Sequence, residues 1–119
     1  MPFLNLITNV KIPDTFAFAQ EFSKVSAEIL EKPEKYISVS YTYNDTLTFG
    51  GTFDPAFQLH ITSLKNINAE ANNQYALKLS DFLRAKLGLP DDRGYIVFYD
   101  PGVENVGYRS STWFLHNLK

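Results

Sequence analysis

The sequence predicts an α+β (α/β) fold in which a duplicated β-α-β unit forms a four-stranded mixed sheet with two helices on one face. Two stretches, about 2–43 and 57–100, each carry an extended apolar run, an amphipathic helical stripe and a second extended run in the same order. In both stretches a proline and charged residues precede a Tyr-Ile pair between the helix and the second strand. Because crossovers between parallel strands are right-handed, we expect both helices on the same face of one sheet.

The first unit runs from a short strand at 3–8 through a helix to a second strand. Asp14 stands where a helix begins, and Asp is a preferred N-cap residue. Lys32-Pro33 ends the helix, and the β-branched and aromatic residues of 36–43 predict the second strand. Apolar residues at offsets of three and four predict the helix face that packs on the sheet: Phe18, Phe22, Val25 and Ile29.

The second unit repeats this order after a turn region. A short edge strand is predicted at 47–49, and Gly50-Gly51 indicates a turn near the functional site. A strand at 57–64 leads to a helix that Asn68 caps and that Gly88 and Pro90 end. A near-continuous apolar strand follows at 94–99. The predicted buried stripe of this second helix is Tyr75, Leu79, Phe82, Leu83 and Leu87.

One face and the edges of such a sheet remain uncovered. Because both helices cover the same face, we expect an apolar face of the sheet to remain exposed on the other side. The chain also has 10 Phe, 7 Tyr and 1 Trp, more than one small core readily consumes, so some of these rings are expected at a subunit interface or a pocket. Oligomerisation that covers this face and the edges would complete the fold. The tail at 104–119 is predicted to be an interface segment, with 106–119 as a strand that pairs with a neighbouring copy.

Length and composition exclude several classes of protein. The 119 residues, 45% hydrophobic and 20% charged, predict one globular domain over 1–119. A net charge of −2 argues against nucleic-acid binding, and the lack of cysteine excludes disulfides and thiol chemistry. His60 and His116 have no partners at metal-ligand spacing, so no metal site is expected. With no signal peptide or membrane span in the sequence, we predict a cytoplasmic protein with no membrane partner.

Several short motifs occur along the chain in a characteristic order and spacing: Pro2 after Met1, Thr8-Asn9-Val10, Lys32-Pro33, Phe49-Gly50-Gly51, Asn72 with Tyr75, Asp92-Arg93 with Tyr95-Ile96, and Asn105-Val106-Gly107. Together they resemble the macrophage migration inhibitory factor and D-dopachrome tautomerase family. The resemblance covers essentially the whole chain. It implies a homotrimer in which three four-stranded sheets surround a central channel, with an active site at each subunit boundary.

Pro2 is the candidate catalytic base. Removal of Met1 would expose a secondary amine on Pro2, and apolar surroundings or a nearby cation would lower the pKa of that amine toward working pH. Without the other motifs, a Met-Pro start would indicate only a processed and inert N-terminus. We expect the apolar walls of the site from five side chains: Phe3, Tyr36, Val106, Tyr108 and Trp113.

Lys32, Leu64 and Tyr95 complete the implied site. In the family, a lysine at the position of Lys32 and a backbone N–H at that of Leu64 hold a substrate oxygen, and the tyrosine at the position of Tyr95 reaches into the neighbouring subunit's pocket. The two side chains, Lys32 and Tyr95, also have simpler interpretations. Lys32 stands at a helix C-terminus, where a cation is favourable, and Tyr95 fits a packed strand aromatic. The chain departs from the family at Val97, where the best-known member has an asparagine.

The preferred hypothesis is a keto-enol tautomerase of aromatic α-keto acids of the phenylpyruvate type, with dopachrome-like compounds as an alternative substrate. No cofactor is expected, because the substrate carbonyl is itself the electron sink. The alternative hypothesis, of a different class, is a cytokine-like or effector trimer that binds a receptor protein and keeps a weak or vestigial pocket. Val97 favours this alternative. The family includes members that are exported without a signal peptide, so secretion is also compatible with the resemblance.

Overall fold

The computed structural model describes residues 1–117 of the chain. Strand β1 (Pro2–Thr8), helix α1 (Thr15–Leu30) and strand β2 (Ser38–Tyr43) form the first unit. Strand β3 (Phe57–Ser63), helix α2 (Ala69–Leu87) and strand β4 (Gly94–Tyr99) form the second. The tail holds the two-residue strands β5 (Gly107–Tyr108) and β6 (Ser111–Thr112), followed by the short helix α3 (Trp113–Asn117). Two 3-10 turns, Glu34–Tyr36 and Val103–Asn105, lie between these elements.

The four long strands form one mixed sheet in the order β2-β1-β3-β4. Each unit contributes a parallel pair, β1 with β2 and β3 with β4, and the two units join through the antiparallel pair β1 and β3. In this central pair Pro2 lies opposite Ser63 and Thr8 lies opposite Phe57. The predicted four-stranded mixed sheet with two helices is confirmed, and its register places the N-terminus beside the end of β3.

Both helices pack on the same face of the sheet and begin and end as their sequences predict. Asp14 and Asn68 cap α1 and α2 by accepting the N–H groups of Ala17 and Ala71. Gly88 ends α2 in the left-handed conformation, at φ 66°. In α1 the buried positions are Phe18, Phe22, Ser26 and Leu30, while the predicted Val25 and Ile29 are only partly buried. In α2 they are Tyr75, Leu79, Phe82 and Leu83, and Leu87 is partly buried.

The opposite face of the sheet is more polar than predicted. Alternate residues of β1 and β3 point away from the helices, so Asn5 and His60 lie side by side, and Ser40 on β2 donates a hydrogen bond to Asn5 at 2.7 Å. Apolar side chains concentrate toward β4, where Tyr95 and Tyr99 are exposed. The expectation of an apolar face was wrong, because strand alternation places most of the apolar residues of β1 and β3 against the helices.

A network of side-chain bonds to backbone carbonyls holds the loop before β3. The Asn9 amide donates to the carbonyls of Leu47, Phe53 and Asp54, and its oxygen accepts the N–H of Ala56. Arg93 donates to the carbonyl of Phe49 at 2.8 Å and lies over its ring. These contacts give three of the family motifs, those of Asn9, Phe49 and Arg93, a structural role at the end of the sheet far from Pro2. Within one chain the Gly50-Gly51 turn lies at this same end.

Three local predictions were wrong. Residues 47–49 form no strand, and only an isolated bridge joins Phe49 to Thr52 around the glycine turn. The second strand starts at Ser38 rather than at residue 36, because a 3-10 turn occupies Glu34–Tyr36 after Pro33. The tail is a small hairpin and a helix instead of one strand, since the chain reverses at Arg109 and Ser110. Residues 118 and 119 of the predicted tail lie outside the described residues.

Within the described part of the chain, no helix is long and apolar enough to cross a membrane.

Gly94 is expected to be intolerant of a side chain. A Cβ at this position would stand 2.5 Å from both the carbonyl oxygen and the ring Cδ1 of Phe57, its partner on β3. Because the backbone must shift to relieve this overlap, Gly94→Ala is expected to lower the free energy of unfolding by about 1–3 kcal/mol in chemical denaturation. Gly107→Ala is the matched control, because its Cβ would meet only the Ser111 oxygen, at 3.8 Å. Equal stability of the two variants would contradict the packing at β3 and β4.

Candidate active site

The chain begins inside a cluster of clefts. Pro2 is buried at the start of β1, and Met1 lines three adjoining cavities of about 140, 320 and 270 Å³. Lys32, Leu64 and Trp113 line the first of them together with Met1. The N-terminus is therefore the point at which these clefts meet, and removal of Met1 would open them toward the nitrogen of Pro2.

Lys32 is the cation whose charge acts on the N-terminal ammonium. Helix α1 ends at Leu30, Glu31 turns the chain in the left-handed conformation, and Lys32 then directs its Nζ to the carbonyl of Leu64 at 3.1 Å. Burial lowers the pKa of the Met1 ammonium below its usual value, and the charge of Lys32 lowers it further. An amine at this place is therefore biased toward its neutral, basic form.

Asn66 fixes the position of Lys32 and was missed in the sequence. Its amide donates to the carbonyl of Leu30 at the end of α1, at 3.1 Å, and its oxygen accepts the Ser63 hydroxyl at 2.6 Å. The backbone carbonyl of Asn66 accepts the hydroxyl of Tyr75 at 2.9 Å. The end of α1 is thereby tied to the turn after β3, next to Leu64. A serine and an asparagine three residues apart between strand and helix were the available signal.

Aromatic side chains form one wall of the clefts. The rings of Tyr108 and Trp113 are stacked, with centroids 4.8 Å apart and an interplanar angle of 3°. Tyr36 meets both rings edge-on at 5.9 and 5.6 Å. A planar aromatic ligand entering the cleft beside Met1 would meet these faces and edges, a geometry that aromatic pairs prefer.

Val106 and Phe3 form another wall, also beside Met1. Both line the cleft of about 320 Å³, together with Thr62 and Tyr99. The carbonyl of Val106 accepts the N–H of Trp113 at 2.9 Å, which joins this wall to the aromatic stack. The described structure thus brings together eight of the predicted site residues: Pro2, Phe3, Lys32, Tyr36, Leu64, Val106, Tyr108 and Trp113.

Tyr95 and Val97 lie apart from this cluster within one chain. Tyr95 is opposite Gln58 near the start of β4, five strand positions from the Pro2–Ser63 row, a separation of about 17 Å. Its side chain is 71% exposed and contacts Phe49 at a ring separation of 5.4 Å. Val97 is also exposed, on the face opposite the helices. Neither side chain can line the cleft of its own chain.

The described residues hold no group of three or more His, Asp or Glu side chains placed to bind a metal ion. In these clefts the N-terminal amine has a pKa that burial and the charge of Lys32 lower. The arrangement is suited to proton transfer at an amine, with a cation and aromatic surfaces beside it.

Comparison with known proteins decides the family. The family model described as macrophage migration inhibitory factor (MIF) matches residues 1–114. The chain belongs to the macrophage migration inhibitory factor family. The family is part of the tautomerase superfamily, which supports the prediction that the protein is an isomerase. The five residues after 114, which include His116, extend beyond the matched region.

Relatives and solved structures of the MIF family match this chain over nearly its whole length. The chain is 37% identical to a MIF homolog of Trichuris trichiura over 114 residues, covering 95% of this chain and 100% of that protein. It is 31% identical to MIF of Xenopus tropicalis, covering 95% and 99%. The structure of MIF from Trichinella spiralis superimposes with a TM-score of 0.86 at 33% identity, over 92% of this chain and 98% of that one. A MIF homologue from Prochlorococcus marinus gives 0.86 at 28% identity, over 93% and 98%.

Proposed function

We propose that this MIF-family chain is a cofactor-independent keto-enol tautomerase of aromatic α-keto acids, of the phenylpyruvate type. The observation that carries the proposal is the partly buried Met1 ammonium, directly before the buried Pro2, whose pKa is lowered by burial and also by the charge of Lys32. The aromatic wall of Tyr36, Tyr108 and Trp113 supports an aromatic substrate.

Pro2 moves the proton in the proposed mechanism. After removal of Met1, its neutral secondary amine takes a proton from the carbon next to the substrate carbonyl, and the C–H electron pair forms the enolate double bond. The resulting ammonium returns the proton to the enolate oxygen, which gives the enol and restores the amine. The reverse direction starts at the enol hydroxyl. No electrons leave the substrate, so the atoms and charges balance without a cofactor.

Lys32 binds the substrate carboxylate or carbonyl oxygen and stabilises the enolate charge. Its Nζ already donates to the carbonyl of Leu64, so the ammonium is held at the mouth of the cleft and retains further donors for a ligand. Stabilisation of developing negative charge by a fixed cation is a major source of catalysis in such sites. The backbone N–H of Leu64 is proposed as a second donor to the same oxygen.

The complete site requires a homotrimer in this proposal. Tyr95 and Val97 lie too far from Pro2 to reach it within one chain. The exposed Tyr95 ring is therefore proposed to enter the cleft of a neighbouring subunit, as the family resemblance implies. Light scattering of the purified protein is expected to give three times the 13.6 kDa chain mass. A monomer with full activity would contradict this assembly.

The pH profile of kcat/KM tests the roles of Pro2 and Lys32 together. Activity is expected to rise with pH as the Pro2 ammonium loses its proton, with an apparent pKa below the usual value of about 8 for an α-amino group. Lys32→Gln removes a charge that disfavours the protonated amine, so it should move this rise to higher pH and also raise KM. Lys24→Gln, on the exposed side of α1, is the matched control. An unchanged pH profile in Lys32→Gln would contradict the proposal that Lys32 lowers the pKa of the Pro2 amine.

A further inference from the structure

We infer that His116, in the segment beyond the family match, is a positioning residue that holds the Tyr108–Trp113 stack in place at the cleft. This inference deepens the proposed function by assigning the control of aromatic substrate binding to the chain's own extension. It rests on the proposed function only for its kinetic consequence. The contacts that support it involve the tail hairpin, α3 and the ring of Tyr36.

The aromatic stack is carried by a segment outside the main sheet. Tyr108 ends β5 and Trp113 begins α3. Among the described elements, the two-residue strands β5 and β6 pair only with each other. Between them, Arg109 and Ser110 both adopt left-handed backbone conformations, at φ 52° and 65°. Residues other than Gly, Asn and Asp rarely occupy two such positions in succession, so further contacts must hold this turn in its shape.

His116, in helix α3, supplies those contacts. Its Nε2 lies within hydrogen-bonding distance of the carbonyl oxygen of Tyr108 and 3.3 Å from the Ser111 hydroxyl. A carbonyl oxygen only accepts, so this nitrogen carries the proton and donates. Tyr108 and Ser111 are the paired residues that flank the turn at Arg109 and Ser110, so these contacts of His116 close the turn next to Tyr108.

The imidazole ring also packs against the stack. Its centroid lies 5.8 Å from that of Tyr108 and 5.9 Å from that of Trp113, at interplanar angles of 69° and 70°. Tyr36 meets the same two rings edge-on. With His116 and Tyr36 both edge-on to the stacked pair, the rings have little freedom to separate. A ligand that binds against them then encounters a surface already in its binding geometry.

The single tryptophan of the chain makes the position of the stack measurable. His116→Ala is expected to increase acrylamide quenching of Trp113 fluorescence, because the stack loosens. It should also raise KM for phenylpyruvate about threefold to tenfold, the effect of one lost hydrogen bond, while kcat changes little. His116→Gln, whose amide can donate to the Tyr108 carbonyl, should restore most of both properties. His60→Ala is the control, because His60 lies on the open sheet face.

Each result decides the inference. The positioning role would be overturned if acrylamide quenching of Trp113 were the same in His116→Ala as in the wild type. It would also be overturned if quenching were equal in His116→Ala and His116→Gln. An unchanged KM in an active enzyme would overturn it as well. A wild-type protein without turnover would contradict the proposed function alone, because the fluorescence comparison needs no activity and still tests the placement of the stack by His116.

Discussion

Replacing Pro2 by Gly in the processed chain is expected to lower kcat/KM for phenylpyruvate tautomerisation by about 100-fold or more, the loss that displacement of a reacting group by about 1 Å can cause. Glycine keeps a terminal amine but lacks the ring that fills a buried position at the start of β1. The amine then gains rotational freedom and water, and both changes displace it from the reacting proton.

The same variant separates catalysis from folding. Because β1 pairs on both sides, Pro2→Gly should keep the circular dichroism spectrum of the wild type and still unfold cooperatively, at a melting temperature lowered by the loss of one small buried ring. Binding of a non-reacting aromatic acid should also persist, since Lys32 and the aromatic wall are unchanged. Activity of Pro2→Gly within a few-fold of the wild type would remove Pro2 from the mechanism.

The largest expected effect on stability comes from Phe22→Ala. Phe22 is fully buried on α1, and its ring stacks on Phe82 of α2 at 5.9 Å and contacts Phe18 at 5.5 Å. Truncation removes the centre of this aromatic cluster and leaves a cavity, so the free energy of unfolding should fall by about 3–5 kcal/mol. The melting temperature should fall by about 10–25 °C.

Phe16→Ala is the matched control for that measurement. Phe16 stands on the same helix with 85% of its side chain exposed, so its removal leaves no cavity. Its stability should stay within about 0.5 kcal/mol of the wild type. A comparable loss in the two variants would mean that the exposed side of α1 is covered in the folded assembly, and a stable Phe22→Ala protein would contradict the core described above.

Local sequence rules predicted the sheet and the helices because the relevant signals act over few residues. The N-caps Asp14 and Asn68 and the C-cap Gly88 each determine a boundary through one or two backbone bonds. The tail was harder to predict. Its hairpin depends on two non-glycine residues with positive φ, Arg109 and Ser110, which no propensity rule favours.

The sequence predicted which residues form the site, but it did not predict the contacts that position them. Strand register places Pro2 opposite Ser63, beside Leu64, and this could be known only once β1 and β3 were paired. The contribution of Asn66, which ties the end of α1 to the turn after β3, is a contact between segments distant in sequence. The separation of Tyr95 from Pro2 within one chain also follows from pairing, and the family resemblance is what gives Tyr95 its proposed role in a neighbouring cleft.

The most direct test of the central claim is the initial rate of phenylpyruvate tautomerisation by two forms of the same chain, one with Met1 removed and one with Met1 retained, each verified by intact mass. In the retained form the Pro2 nitrogen is an amide and Met1 occupies the point where the clefts meet. The proposed mechanism predicts turnover by the processed form and a loss of about 100-fold or more in the retained form. Equal rates, or no turnover by the processed form, would contradict it and favour a role in binding a protein partner.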